Sequence, residues 1–98
     1  EIEKLTFMKP DHERFPCLSL AYNALKAGGT MTAVLNAANE IAVDAFLNNR
    51  IRFPEIPEII DKVMSSHKNG TASHVDDVLR ADLWARGNAK DLIERRDS

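Results

Sequence analysis

Apolar residues recur along most of the chain at the three- and four-residue spacing of amphipathic helices, and the breaks fall at Gly, Pro, Asn and Ser. The first run opens at Pro16, whose fixed φ and missing N–H suit the first turn of a helix. Leu18, Ala21 and Leu25, with Cys17, Leu20 and Ala24, give it a broad apolar face, and Gly28 and Gly29 stop it. Thr30 is the predicted N-cap of a second helix, in which Met31, Val34, Leu35, Ala38, Ala42, Ala45 and Phe46 fall on one arc. Ala33, Ala37, Ile41, Val43 and Leu47 carry apolar character around much of the remaining circumference. That pattern predicts a central helix buried nearly all round, with alanines that let its neighbours come close.

The stretch "NNRIRFPEIP" interrupts the period. Ile51 and Phe53 alternate with Arg52 as in a short extended segment that buries one side. Ile56, Ile59, Ile60, Val63 and Met64 then form the cleanest amphipathic stripe in the chain, with Pro57 in the first turn of a third helix. "SSHKNGTAS" reads as the next loop. Ser73 with Asp76 resembles a capping box ahead of Val75, Val78 and Leu79, which predicts a short helix. Asp82 caps a further turn carrying Trp84, Ala85, Ala89, Leu92 and Ile93, and Gly87 argues against one unbroken helix.

Residues 1–14 have no helical period. They read as a linker with short extended character around Leu5 to Phe7, followed by the polar "KPDHER". Residues 15–98 read as a helical domain. The predicted fold class is all-α, a small four-helix bundle-like domain preceded by a short extended linker, since short connections favour antiparallel neighbours.

Composition narrows the function classes. A chain of 98 residues makes one domain with one small core, and 44% hydrophobic with 29% charged residues is ordinary for a globular fold. A net charge of −2 offers no basic excess to neutralise a phosphate backbone, so no nucleic-acid partner is expected. Cys17 is the only cysteine, which excludes an internal disulfide and fits a reducing compartment. No apolar run approaches the ~20 residues that span a bilayer, and "EIEKLTF" is too charged for a signal-peptide core. A soluble, cytoplasmic protein without a membrane partner is expected. "NGT" at 69–71 is then a plain turn rather than a glycosylation acceptor, and the start at Glu1 without Met predicts that upstream sequence has been removed.

The candidate chemistry centres on "NAANE". Asn36 and Glu40 stand four apart on one helical face, where they could hold a divalent cation or a substrate. Counted at about 100° per residue from Met31, however, Asn39 borders the apolar arc while Asn36 and Glu40 fall on its far side. Architecture is the stronger reading: the three groups hydrogen-bond neighbouring backbone, such as a helix end or the "IRF" segment, and fix how the central helix meets its neighbours.

His12, His67 and His74 lie in or beside loops without metal-site spacing and read as solvated. Cys17, in a first helical turn without a catalytic partner, reads as a buried, inert thiol. Gly28, Gly29 and Thr30 could cradle phosphate, but they lack the Lys of a P-loop and the third Gly of a dinucleotide fingerprint, so a C-cap followed by an N-cap explains them better. Asp76 and Asp77 read as first-turn acids. No catalytic, cofactor-binding or metal residue is assigned in this chain.

Two other function classes fit a helical domain. A free-standing interaction module would bind a partner through an exposed apolar face. A helix-turn-helix around "AGGT" would enter a DNA groove, but its second helix carries no Lys or Arg between Met31 and Asn49.

"LTF", "PDHERFPCLSLAYNALKAGGT", "AVLNAANEIAVDAFLNNRIRFPEIPEII" and "HVDDVL", in that order, resemble the C-terminal part of the 1-deoxy-D-xylulose 5-phosphate reductoisomerase family, from about Leu5 to the end. The resemblance implies a large enzyme of the methylerythritol phosphate route to isoprenoids. Its N-terminal domain binds NADPH, its connecting domain holds the substrate and Mg²⁺ or Mn²⁺, and a linker leads to a C-terminal helical bundle. The implied reaction is an intramolecular rearrangement followed by hydride transfer. The family's metal and phosphate residues lie in the connecting domain, and "NAANE" differs from that domain's Asn-Lys-x-x-Glu phrase by having Ala37 in place of Lys. No family site residue therefore carries over, and Glu40 is not a metal ligand. The implied partners are the catalytic and NADPH-binding domains, and the isolated chain, stripped of them, has a route to self-association.

Overall fold

The computed structural model describes residues 13–70 and 73–97. Among these it forms four α-helices, α1 (Pro16–Ala27), α2 (Met31–Leu47), α3 (Glu55–Ser66) and α4 (Val75–Asp97), and no strand. The all-α reading is borne out. The predicted linker up to residue 12, with its extended segment at Leu5 to Phe7, lies outside the described residues.

Pro16 opens α1 at its first position, as its geometry dictates, and Gly28 ends it at φ 68° with its N–H donating to the Ala24 carbonyl at 3.1 Å. The helix buries Ser19, Leu20 and Ala24. Leu18 and Leu25 stay exposed, contrary to the predicted face, because α1 meets only one side of the α2 and α3 layer.

α2 packs against each of the other helices and most extensively against α4. Val34, Ala37, Ala38, Ala42 and Ala45 are buried, and their short side chains permit the close approach expected of them. The helix is central but not buried all round: Asn36, Asn39, Glu40, Asp44 and Leu47 are exposed. Its neighbours cover one arc and leave the polar arc to solvent.

Asn49 ends α2 in a left-handed conformation, φ 60°. Arg50 N–H donates to the Ala45 carbonyl at 2.9 Å and Asn49 N–H to that of Phe46 at 3.0 Å, the two bonds of a Schellman turn. "IRF" is therefore a turn and not an extended segment. Ile51 is buried, whereas Phe53 is exposed with its ring edge-on to Phe46 at 5.6 Å. The Glu55 carboxylate accepts the Arg52 N–H at 2.8 Å and leads the chain into α3.

On α3 the sequence pattern and the structure coincide, with Ile56, Ile59, Ile60, Val63 and Met64 all buried. α4 is one continuous helix of 23 residues, not a short helix plus a turn. Its packing stripe is Ala81, Ala85, Ala89 and Ile93, four residues apart, so Val75 and Leu79 of the predicted face point to solvent. Gly87 lies off this stripe with open space around it, and its propensity cost of about 1 kcal/mol is outweighed by packing on both sides.

Candidate functional site

The densest polar cluster joins the α1–α2 junction to the loop after α3. Thr30, 4% exposed, stands at the start of α2 without capping it through its own side chain. Its N–H donates to the Gly70 carbonyl and to Asn69 Oδ1, both at 3.1 Å. Asn69 Nδ2 in turn donates to the carbonyls of Ala27 at 3.2 Å and Gly28 at 3.0 Å. One side chain thus serves orphan carbonyls at the end of α1 and an orphan N–H at the start of α2. Thr30 Oγ1 lies 2.8 Å from His67 Nε2 and 3.3 Å from Asn69 Oδ1. With Nε2–H donating to the hydroxyl and the hydroxyl donating to Asn69, every partner in this knot is matched.

His67 also rests on the Trp84 ring, centroids 5.2 Å apart, which brings α4 into the cluster. Burial holds the His67 pKa below the ordinary histidine value. The unfolded chain therefore takes up this proton more readily than the folded one, and stability rises with pH. The contribution is complete above the unfolded pKa of about 6.5 and is lost as pH falls through the lower folded value. Thermal melts across this range should show a declining melting temperature on acidification, with the slope between roughly pH 7 and 5 reduced in His67→Gln.

A second polar cluster links α2 to α4. Arg86 Nε donates to Asp82 at 2.9 Å, and its two Nη groups donate to the two Glu40 oxygens at 3.4 and 3.0 Å. At the opposite end of α3, Arg96 binds Glu55 and, at 3.0 Å, Glu58. These pairs sit at or near the surface and are each worth ~0–1 kcal/mol.

The expected site residues fall apart in space and in role. Glu40 is bound by a guanidinium, so its carboxylate does not present a free donor set for a cation. Asn36 and Asn39 are exposed and do not reach a helix end or the "IRF" turn, which corrects the expectation that they fix contacts inside the bundle. His67 is half-buried and bonded, not solvated; His74 is exposed, and His12 lies outside the described residues. Cys17 is exposed rather than buried, because α1 turns that arc away from its neighbours. The amide that a phosphate would need at Gly28, Gly29 and Thr30 is spent on Gly70 and Asn69. Asp76 and Asp77 occupy the first turn of α4, as expected.

Among the described residues no group of three His, Cys, Asp or Glu converges on a possible metal position. The open groove beside the knot, lined by His67, Lys68, Asp77, Arg80 and Trp84, mixes both charge signs. Sequence reasoning missed the knot itself. The only local signal for it was an Asn-Gly pair in a loop, which reads as a turn whether or not its side chain reaches across the fold.

Comparison with known proteins places this arrangement. The family described as "DXP reductoisomerase C-terminal domain" matches residues 1–88. The chain is 54% identical over 94 residues to the 1-deoxy-D-xylulose 5-phosphate reductoisomerase of Acetivibrio thermocellus, covering 96% of this chain and 25% of that protein. Against the reductoisomerase of Thermodesulfovibrio yellowstonii identity is 60% over 90 residues, covering 92% and 24%. The reductoisomerase of Zymomonas mobilis, solved in complex with NADPH, superposes with a TM-score of 0.80 at 47% identity over 87% of this chain and 22% of that one. The chain thus spans about a quarter of the length of the relatives it matches. The resemblance carried by "RFPCL", "LNAANE" and "IRF" is borne out, and the chain belongs to the DXP reductoisomerase C-terminal domain family.

Proposed function

We propose that this chain is the C-terminal structural domain of an NADPH-dependent 1-deoxy-D-xylulose 5-phosphate reductoisomerase, supporting the catalytic domain and not catalytic alone. The observation that carries the reading is the match of nearly the whole chain to one quarter of such enzymes, at their C-terminal domain. The internal chemistry agrees with it: Thr30, His67, Asn69, Glu40 and Arg86 are used to join helices. The residues present do not fit a resident metal or nucleotide, since Glu40 is bound by Arg86 and the Thr30 N–H by Asn69 and Gly70. NADPH and Mg²⁺ or Mn²⁺ are assigned to the upstream domains, and the location to the cytoplasm.

The test is NADPH oxidation with 1-deoxyxylulose 5-phosphate and Mg²⁺ or Mn²⁺. The intact enzyme turns over, and the isolated chain neither oxidises NADPH nor binds the nucleotide; turnover by the isolated chain would sink the proposal. A second reading, a free-standing interaction module, is favoured by one observation: Val75, Leu79 and Leu83 form an exposed apolar row on α4. An immunoblot of source cells separates the two. A band at 11.0 kDa supports the module, and a much heavier band supports the enzyme domain.

A further inference from the structure

Asn69 is the one asparagine of the chain that is followed by glycine. In an open Asn-Gly pair the peptide nitrogen of the glycine can attack the asparagine carboxamide, since no glycine side chain stands in the way and the backbone turns freely. The knot at the α1–α2 junction holds both partners of that reaction. Asn69 Nδ2 donates to the carbonyls of Ala27 at 3.2 Å and Gly28 at 3.0 Å, and Oδ1 accepts from the Thr30 N–H at 3.1 Å and from Thr30 Oγ1 at 3.3 Å. The Gly70 N–H donates to Thr30 Oγ1 at 3.4 Å, and the Gly70 carbonyl accepts the Thr30 N–H at 3.1 Å. Nucleophile and electrophile are thus both tied to the buried Thr30 and are not free to close on each other.

We propose that Asn69 is a latent deamidation site which the knot keeps closed, so that opening of the loop exposes it to an irreversible conversion to aspartate or isoaspartate. In this reaction the Gly70 nitrogen loses its proton and bonds to Asn69 Cγ, and the Cγ–Nδ2 bond breaks with the nitrogen leaving as ammonia. Water then opens the five-membered imide at one of its two carbonyls. One opening gives aspartate; the other gives isoaspartate, with the main chain running through the former side chain. Water is consumed, ammonia is released, and nothing is oxidised or reduced.

The product does not restore the knot. A carboxylate can still accept the Thr30 N–H at the positive end of α2. The oxygen that replaces Nδ2, however, carries no proton and faces the carbonyl oxygens of Ala27 and Gly28 at the negative end of α1. Repulsion takes the place of two hydrogen bonds, and the loop lets go of α1. Isoaspartate also lengthens the backbone by one carbon and displaces Gly70. A transient opening is thereby written into the covalent chain.

The experiment follows Asn69 in the full-length protein by peptide mapping with mass spectrometry at mildly alkaline pH, folded and in guanidinium chloride. Reaction through an open state scales with the fraction open, so the folded protein is expected to deamidate at least about tenfold more slowly than the unfolded chain. Equal rates overturn the proposal. Gly29→Ala, whose Cβ would stand 2.2 Å from the Gly70 carbonyl oxygen, should raise the native rate several-fold. Thr30→Val, which removes the hydroxyl shared by Asn69 and Gly70, should do the same and serves if the first variant does not fold. A folded variant that deamidates at the wild-type rate overturns the proposal. Gly70→Ala adds a Cβ that meets no atom within 4 Å, at a residue outside the left-handed region, so the knot stands. Its methyl hinders the attack and should slow deamidation in guanidinium chloride by about tenfold. An unchanged rate there means that the Gly70 nitrogen is not the nucleophile and also overturns the proposal. Asn69→Asp, the product itself, should melt below wild type; an unchanged melting temperature shows that the knot re-forms and overturns the loss of α1.

Discussion

Ile59→Ala is expected to lower the unfolding free energy of the domain by about 3–4 kcal/mol, within the range for buried Ile truncations. Ile59 is 0% exposed and lies in the middle of the α3 stripe, on a helix that contacts α1, α2 and α4. Deleting three carbons there leaves a hole in a core cluster built largely of alanines and β-branched side chains, among them Ala38, Ala42, Ala85, Val34 and Val63. Such surroundings have few rotamers with which to collapse inward, which puts the site toward the costly half of the range. Ile59→Val, which removes one carbon, should cost about 1 kcal/mol. Urea unfolding checks both: the midpoint falls while the slope stays constant, and a melting temperature lowered by roughly 12–25 °C accompanies the alanine variant. A midpoint within error of wild type would mean that Ile59 is not packed as its full burial indicates.

Gly29→Ala is expected to cost about 2–4 kcal/mol, although it adds a single methyl to an exposed residue. Two effects add. The backbone is left-handed at φ +60°, which charges any L side chain about 1 kcal/mol. The new Cβ would also stand 2.2 Å from the Gly70 carbonyl oxygen and 2.9 Å from Asn69 Oδ1. Both are acceptors for the Thr30 N–H, so the clash is relieved only by pulling the knot open. Chemical unfolding checks it: a loss of no more than about 1 kcal/mol, the left-handed backbone cost alone, would show that the knot contributes nothing.

Much of this architecture is legible in the chain. The α3 stripe is read residue for residue, because a helix with one clean apolar face has only one way to bury it. Pro16 and Gly28 mark the two ends of α1 through backbone restrictions that act locally. The faces of α1 and α2 are less legible for the opposite reason. Each is apolar over so much of its circumference that periodicity does not say which arc the neighbours cover, and Leu18 and Leu25 lose to Leu20 and Ala24. α4 runs through Gly87 because tertiary packing of Ala85 and Ala89 overrides a local propensity penalty.

The candidate site is legible in part. Its polar residues are visible in the sequence as residues that need a reason, and the reason is spatial. Asn69 reaches Ala27 across 42 positions and Arg86 reaches Glu40 across 46, separations at which no pattern of spacing carries a signal. Asn36 and Asn39 invite a search for partners inside the domain, and their exposure moves that search outside it.

The seam between α2 and α4 has a mechanical meaning. Ala37, Ala38, Ala42 and Ala45 on one helix and Ala81, Ala85 and Ala89 on the other are all buried, on the two helices that meet most extensively. Alanine has no side-chain torsion to adjust and loses no rotamer entropy on burial. A seam built from it cannot yield by swapping rotamers, as one built from leucine or methionine would. The two longest helices are thereby held against each other with little side-chain play, so a load on one is shared with the other rather than absorbed by rotamer changes at the seam.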